Sequence, residues 1–256
     1  AVSFSARLDG GRLPCETRAV DPRTIALRGR AVESIHSDGR SGVELETRVR
    51  AVARGGEVRA TRDALEVRGA DEVVLLVAAG TTYRGGDPAA LCDEPLDAAA
   101  ARSWEELRRS HLEDHRPLFR RVAIDLGGAG PAGAQGAAPT DVRRAALRGD
   151  RGDPGLEALF FQYGRYLLIA GSRPDSPLPT NLQGIWNDGL ACSMGWTGDF
   201  HLDINTQQNY WPAEVANLPE CHEPLFRLVE SLVEPGSRTA RDLYGARGWV
   251  CHVFTN

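Results

Sequence analysis

Between residues 43 and 51 apolar and charged side chains alternate, with Val43, Leu45, Thr47, Val49 and Ala51 set against Glu44, Glu46, Arg48 and Arg50. A period of two belongs to a half-buried strand, so the pattern predicts a strand whose charges face water. Ile25 to Ile35 and Glu72 to Ala79 read as further strands. Gly-Gly at 10–11 and 55–56 and Asp-Gly at 38–39 read as the hairpin turns of an antiparallel sandwich. From Asp97 the period lengthens, and Trp104, Leu107, His111, His115, Leu118 and Phe119 fall near helical spacing. The Gly/Ala/Pro-rich stretch 127–140 reads as a flexible connection. Asp153-Pro154 opens a stronger helix, whose apolar stripe is Leu156, Leu159, Phe160, Tyr163, Tyr166, Leu167 and Ala170. Residues 172–200, rich in Pro, Asn, Gly and Trp, read as a long loop, and loops of such length often carry function. Helix returns over 204–217 and from 222 to 243, the latter with Leu225, Phe226, Val229, Leu232 and Val233 facing inward. Glu234-Pro235 is expected to kink or break it.

Composition narrows the function. The 256 residues suffice for two ordinary domains, and a net charge of -5 lacks the basic balance of a nucleic-acid binder. All 30 basic residues are arginine, which excludes Schiff-base chemistry and a P-loop lysine. Five cysteines stand singly, with no CxxC pair for a zinc ribbon or a thioredoxin-type site. No apolar run is long enough to cross a membrane, and the N-terminus reads as a strand and not as a signal peptide, which leaves cytoplasmic and secreted locations both open.

The densest chemistry lies in residues 201–214, where His201, Asp203, Asn205, Asn209, Trp211 and Glu214 crowd into what reads as about four turns of helix. Amides and acids read hydroxyls, and aromatic faces stack on the apolar faces of sugar rings. A carbohydrate site follows as the first expectation. That run, Pro179-Thr180-Asn181-Leu182-Gln183-Gly184-Ile185-Trp186-Asn187-Asp188, and the closing stretch Gly248 to Asn256 together resemble glycoside hydrolase family 95, the inverting α-L-fucosidases and related L-galactosidases. The resemblance implies a multidomain β plus α fold. It would hold the end of an antiparallel β-sandwich over 1–95, a helical linker and flexible loop over 96–153, and the first helices of a truncated (α/α)6 barrel over 154–256.

The family uses a Glu general acid, an Asp general base and an Asn-x-Asn pair that positions the attacking water. The pair falls on Asp203-Ile204-Asn205, where Asn205 matches and Asp203 departs from asparagine. A carboxylate at 203 could orient the water more strongly, serve as the base itself, or disturb a neighbouring base. The resemblance therefore implies catalytic roles for Asn205 and Asp203. It implies substrate contacts at His201, Gln183, Trp186, Asn187, Asn209, Trp211, Glu214 and His252, with no metal and no cofactor. By motif order the general acid and base fall beyond Asn256, so this chain alone is expected to be inactive and its helical part incomplete. The expected partner is a fucosylated oligosaccharide or polysaccharide, with no nucleic acid and no membrane. An α-L-galactosidase, a non-catalytic carbohydrate-binding module and a structural helical toroid are the alternatives.

Several residues carry a second, plainer reading. Asp203 also reads as a helix N-cap. Tyr210 and Trp211 read as core aromatics as well as a sugar platform. Glu214 reads as a buried, paired structural carboxylate. His111 and His115, at i and i+4, could chelate a metal but show no third ligand. Asp63, Asp71 and the arginine-rich strands read as solvated faces.

Overall fold

The computed structural model describes residues 1–11, 13–32, 38–40, 42–127, 138–147, 152–186 and 198–255. The chain forms two compact units, Ala1–His111 and Leu112–Asn256.

The first unit holds β1 (Val2–Arg7), β2 (Cys15–Asp21), β3 (Thr24–Val32), β4 (Gly42–Arg54), β5 (Glu57–Ala60), β6 (Ala64–Ala70) and β7 (Glu72–Thr81), followed by α1 (Pro88–Ala100). They make two antiparallel sheets in the orders β1-β6-β5 and β2-β3-β4-β7. Ile25, Val49 and Ala51 from one sheet and Leu65 from the other close into one cluster, with Val58 and Val73 against it. The strand readings agree with this, although Ile35 lies outside the described residues. Two of the glycine pairs differ from expectation. Gly10-Gly11 and Gly55-Gly56 carry the chain from one sheet to the other and do not close hairpins. Gly56 has φ 65°, and a Cβ there would stand 2.3 Å from the Arg68 carbonyl oxygen, so only glycine fits this crossover.

The charged face of β4 is a larger correction. Glu46 and Arg48 are buried, because α1 lies over that face. Arg48 Nε donates to Glu46 Oε1 at 2.5 Å and its Nη1 pairs with Asp93 of α1, while Arg50 reaches Asp97 at 2.6 Å. The Cys92 thiol donates to the Glu46 carbonyl. Alternation located the strand, but α1 decided which face is wet.

Helix α2 (Trp104–Phe119) runs from the first unit into the second. It starts on a capping box, in which the Glu106 N–H donates to Ser103 Oγ and the Ser103 N–H to Glu106. The second unit continues with α3 (Thr140–Ala146), α4 (Pro154–Gly171), β8 (Phe200–His201), α5 (Asn205–Tyr210), α6 (Pro212–Val215), α7 (Glu223–Tyr244) and β9 (Phe254–Thr255). Asp153 caps α4 by accepting from the Leu156 N–H. Leu118, Leu168, Ile169, Phe200, Tyr210, Ala213, Leu218, Cys221, Leu225 and Leu228 form the core. Each large member contributes about 1.5–3 kcal/mol by leaving water.

Here too a face is reversed. Of the expected α4 stripe only Leu156 is buried, while Leu159, Phe160, Tyr163 and Tyr166 are exposed. The helix instead buries Leu168, Ile169 and Arg165. The Arg165 guanidinium donates to the carbonyls of Leu118, Phe119, Val122 and Ala216 and to Gln162 Oε1. Burial pushes its pKa down, with Arg121 nearby acting in the same direction. Four bonds to chain segments far apart in sequence outweigh the apolar stripe. On α7, Leu225 and Leu228 are buried as part of the inward face, but Phe226 and Val233 are exposed. The helix continues through Pro235 and ends at Gly245, where φ is 59°. The expected 204–217 helix is two short helices parted at Pro212, whose ring has no N–H to continue α5. Residues 187–197 of the expected long loop, and 128–137 of the flexible connection, lie outside the described residues.

Candidate functional site

The three sequence segments that suggested sugar chemistry converge in the second unit. Strand β8 pairs with β9, Phe200 opposite Thr255 and His201 opposite Phe254. The next residue extends the pairing, as the Leu202 N–H donates to the Val253 carbonyl at 2.6 Å. On the other side the Leu182 N–H donates to the Asp199 carbonyl, and Asn209 Nδ2 donates to the Asn181 carbonyl. The Tyr210 hydroxyl accepts from the Thr180 N–H. Ser172 Oγ spends its proton on the Cys221 carbonyl at 2.7 Å, so Tyr210 donates to Ser172. Buried Tyr210 thus fixes the loop by its polar tip.

Asp199, His201 and Asp203 line up along this strand. His201 Nδ1 lies 3.1 Å from Asp199 Oδ1, and its Nε2 lies 3.3 Å from Asp203 Oδ1. The ring is stacked on Phe254 at 6.3 Å between centroids. Asp199 and His201 are buried, whereas the Asp203 side chain is 53% exposed. Asp203 is not the N-cap of α5. Ile204 occupies that position and has no side-chain acceptor to cap with, while the Asp203 carboxylate is turned to His201. Asn205 opens α5 and is half-buried. Asn209 is one turn further on the same helical face.

Gln183, Trp186 and Asn209 line a groove of about 580 Å³, together with Phe160, Thr180 and Pro212. Its size suits a small ligand, although its walls are mainly apolar. Trp186 is held by its indole N–H on the Ala170 carbonyl. Trp211 is exposed, so of the aromatic pair only Tyr210 is core. Glu214 is also exposed, not buried. It pairs with His222 Nδ1 at 2.6 Å, and that hydrogen bond holds its carboxyl below the usual range. His222 itself stacks between Tyr210 and Phe226. The exposed His252 tilts against Tyr244. Asn187 lies outside the described residues.

His115 stacks on Phe119 and lies near Tyr166, and among the described residues no group of three or more metal-ligating side chains forms. Sequence reasoning missed Asp199. The signal was present as Asp-Phe-His-Leu-Asp, a period-2 alternation with Phe200 buried on the opposite side.

The catalytic-domain model of glycosyl hydrolase family 95 matches residues 103–256, and the N-terminal-domain model of glycosyl hydrolase family 65 matches residues 1–86. The chain is 39% identical over 216 residues to alpha-L-fucosidase 2 of Arabidopsis thaliana, covering 80% of this chain and 25% of that protein. It is 34% identical over 207 residues to probable alpha-fucosidase A of Aspergillus oryzae, covering 75% of this chain and 28% of that protein. The corresponding Aspergillus niger protein is 36% identical over 203 residues, 73% of this chain and 25% of its own length. The chain therefore spans about a quarter of the length of these curated relatives.

Proposed function

The chain belongs to glycosyl hydrolase family 95, and from that premise we propose that it carries the water- and sugar-holding part of an inverting α-L-fucosidase. The substrate is a terminal α-L-fucose on an oligosaccharide or polysaccharide. Residues 1–95 belong to a β-sandwich, 96–153 link, and 154–256 begin an (α/α)6 barrel. The observation that carries the reading is the meeting of three separate segments along Asp199–Leu202, which leads directly into Asp203 and Asn205.

Inversion requires a water on the face of the sugar opposite the leaving group, with acid and base carboxyls roughly 6.5–9.5 Å apart to leave it room. The Asn205 amide oxygen accepts one proton of that water and aims a lone pair at the anomeric carbon. Asp203 Oδ2, its Oδ1 being turned to His201, shares that same proton, which leaves the second one for the general base. His201, Gln183, Trp186, Asn209 and Trp211 are assigned to the sugar. Glu214 Oε1 is engaged by His222, and Oε2 of this exposed carboxylate is assigned to the sugar. The general acid and base are assigned outside residues 1–256, and these residues alone are then inactive.

The test is hydrolysis of a 2-linked fucosyl oligosaccharide by the protein encoded by the whole reading frame, beside its Asn205→Ala variant. The reading expects fucose release, and a kcat lowered by about 10²–10⁴-fold in the variant with little change in melting temperature. A folded wild type that leaves the fucoside intact while cleaving an L-galactoside would move the substrate. Equal loss of stability and activity would make Asn205 structural.

A further inference from the structure

Asp199 is the buried end of a line of polar groups that leads outward through His201 to the half-exposed Asp203. Its Oδ1 faces His201 Nδ1, while its Oδ2 is buried and finds no hydrogen-bond partner among the described residues. Removing a carboxylate from water is costly unless a donor compensates it. The compensating donor here is the imidazole N–H. With a carboxylate at each ring nitrogen, both are engaged only as donors, Nδ1–H to Asp199 and Nε2–H to Asp203, and this pair of bonds sets which way the ring points.

The remaining freedom of the ring is removed by Phe254, parallel to it within 11°. The backbone is fixed as well, by the β8–β9 pairing and by the Leu182 N–H on the Asp199 carbonyl. Nε2 is thereby presented to Asp203 at 3.3 Å, and Asp203, which would otherwise sample several rotamers at an exposed position, has one oxygen engaged.

We propose that Asp199 is a positioning residue that acts through His201 to set the orientation of the Asp203 carboxylate. The proposal rests on the water-holding role given above to Asp203. No bond to substrate is made by Asp199, and its effect falls on kcat, because a misplaced water-holding group raises the barrier without weakening the grip on the sugar.

The test uses the whole-reading-frame protein and its Asp199→Asn and Asp199→Ala variants. Two readouts are taken: steady-state kinetics on the fucosyl oligosaccharide, and the ring-nitrogen NMR signals of His201, assigned by loss in His201→Gln. The expected result is a kcat lowered about 10- to 100-fold with KM within about twofold, and a moved His201 Nδ1 signal, in whichever variant is folded by circular dichroism. Asp199→Asn keeps the volume, so it stays informative if Asp199→Ala fails to fold. A folded variant with kcat within twofold of wild type, or with an unmoved Nδ1 signal, overturns the proposal. A fall in KM affinity alone overturns it too. If the folded wild type leaves every fucoside intact, the fucosidase reading has failed, and the His201 signal alone then decides the positioning claim.

Discussion

The strand-rich unit and the helical unit of this chain put their charged residues to opposite uses. In the first, Glu46 and Arg48 of β4 are buried as a pair under α1, and Arg18 and Arg28 stand 4.0 and 3.8 Å from Glu46. In the second, Arg165 is buried with backbone carbonyls for partners, and a row of aromatic side chains on the same helix is left in solvent. The contrast separates two questions. Periodicity says which element forms; the neighbour laid across it says which face is dry. A strand can bury charge when a helix brings carboxylates to meet it. A helix can expose tyrosines when a guanidinium satisfies several chain ends at once.

Substitution of Arg165 by Ala should have the largest effect on stability, about 4–5 kcal/mol, because several carbonyls from the ends of α2 and α6 lose their donor together. Denaturant melts would read it, and a loss under about 1 kcal/mol would mean that water replaces the guanidinium. Arg48→Ala should cost about 3 kcal/mol by leaving buried Glu46 with only the more distant Arg18 and Arg28, whereas Glu46→Leu with Arg48→Met should be nearly neutral. An equal cost for both would make the pair a stabilising contact and not a constraint on pairing. Tyr210→Phe should cost about 1–3 kcal/mol, since the buried Thr180 N–H loses its acceptor.

The Cys221 thiol gives a smaller, pH-linked effect. Burial pushes it up to about 11 from an ordinary value of 9.0. Its contribution is complete below pH 9.0 and is lost as pH rises toward about 11, so stability should decline across that window and Cys221→Ser should flatten the decline. Alkylation of native protein at pH 8 should spare Cys221. Smallest of all, Phe160→Ser should change stability by less than about 0.5 kcal/mol with the α4 face as open as it is here.

Most strands and the capped start of α4 were legible in the sequence, because each rests on a local rule: alternation in the strands, an Asp-Pro start in the helix. What escaped was set by distant residues. The dry face of β4 depends on Asp93 and Cys92, and the buried face of α4 depends on carbonyls near residues 118–122 and 216. The motif singled out Asn205 and Asp203 as candidates, but the turn of Asp203 toward His201 and away from capping required the strand at 200–201. Asp199 was passed over because it precedes the motif, although its alternation with His201 and Asp203 was present. Glu214 drew attention by type, and its pairing with His222, eight residues on, was not legible from the sequence.

Inversion by a water held at Asp203 and Asn205 is tested most directly by proton NMR of the first sugar released from a 2-linked α-L-fucosyl oligosaccharide by the whole-reading-frame protein. Initial appearance of β-L-fucose, followed by slow mutarotation, is the predicted result. Initial α-L-fucose would mean a covalent intermediate and a nucleophile in place of a held water, and would contradict the roles given to both residues.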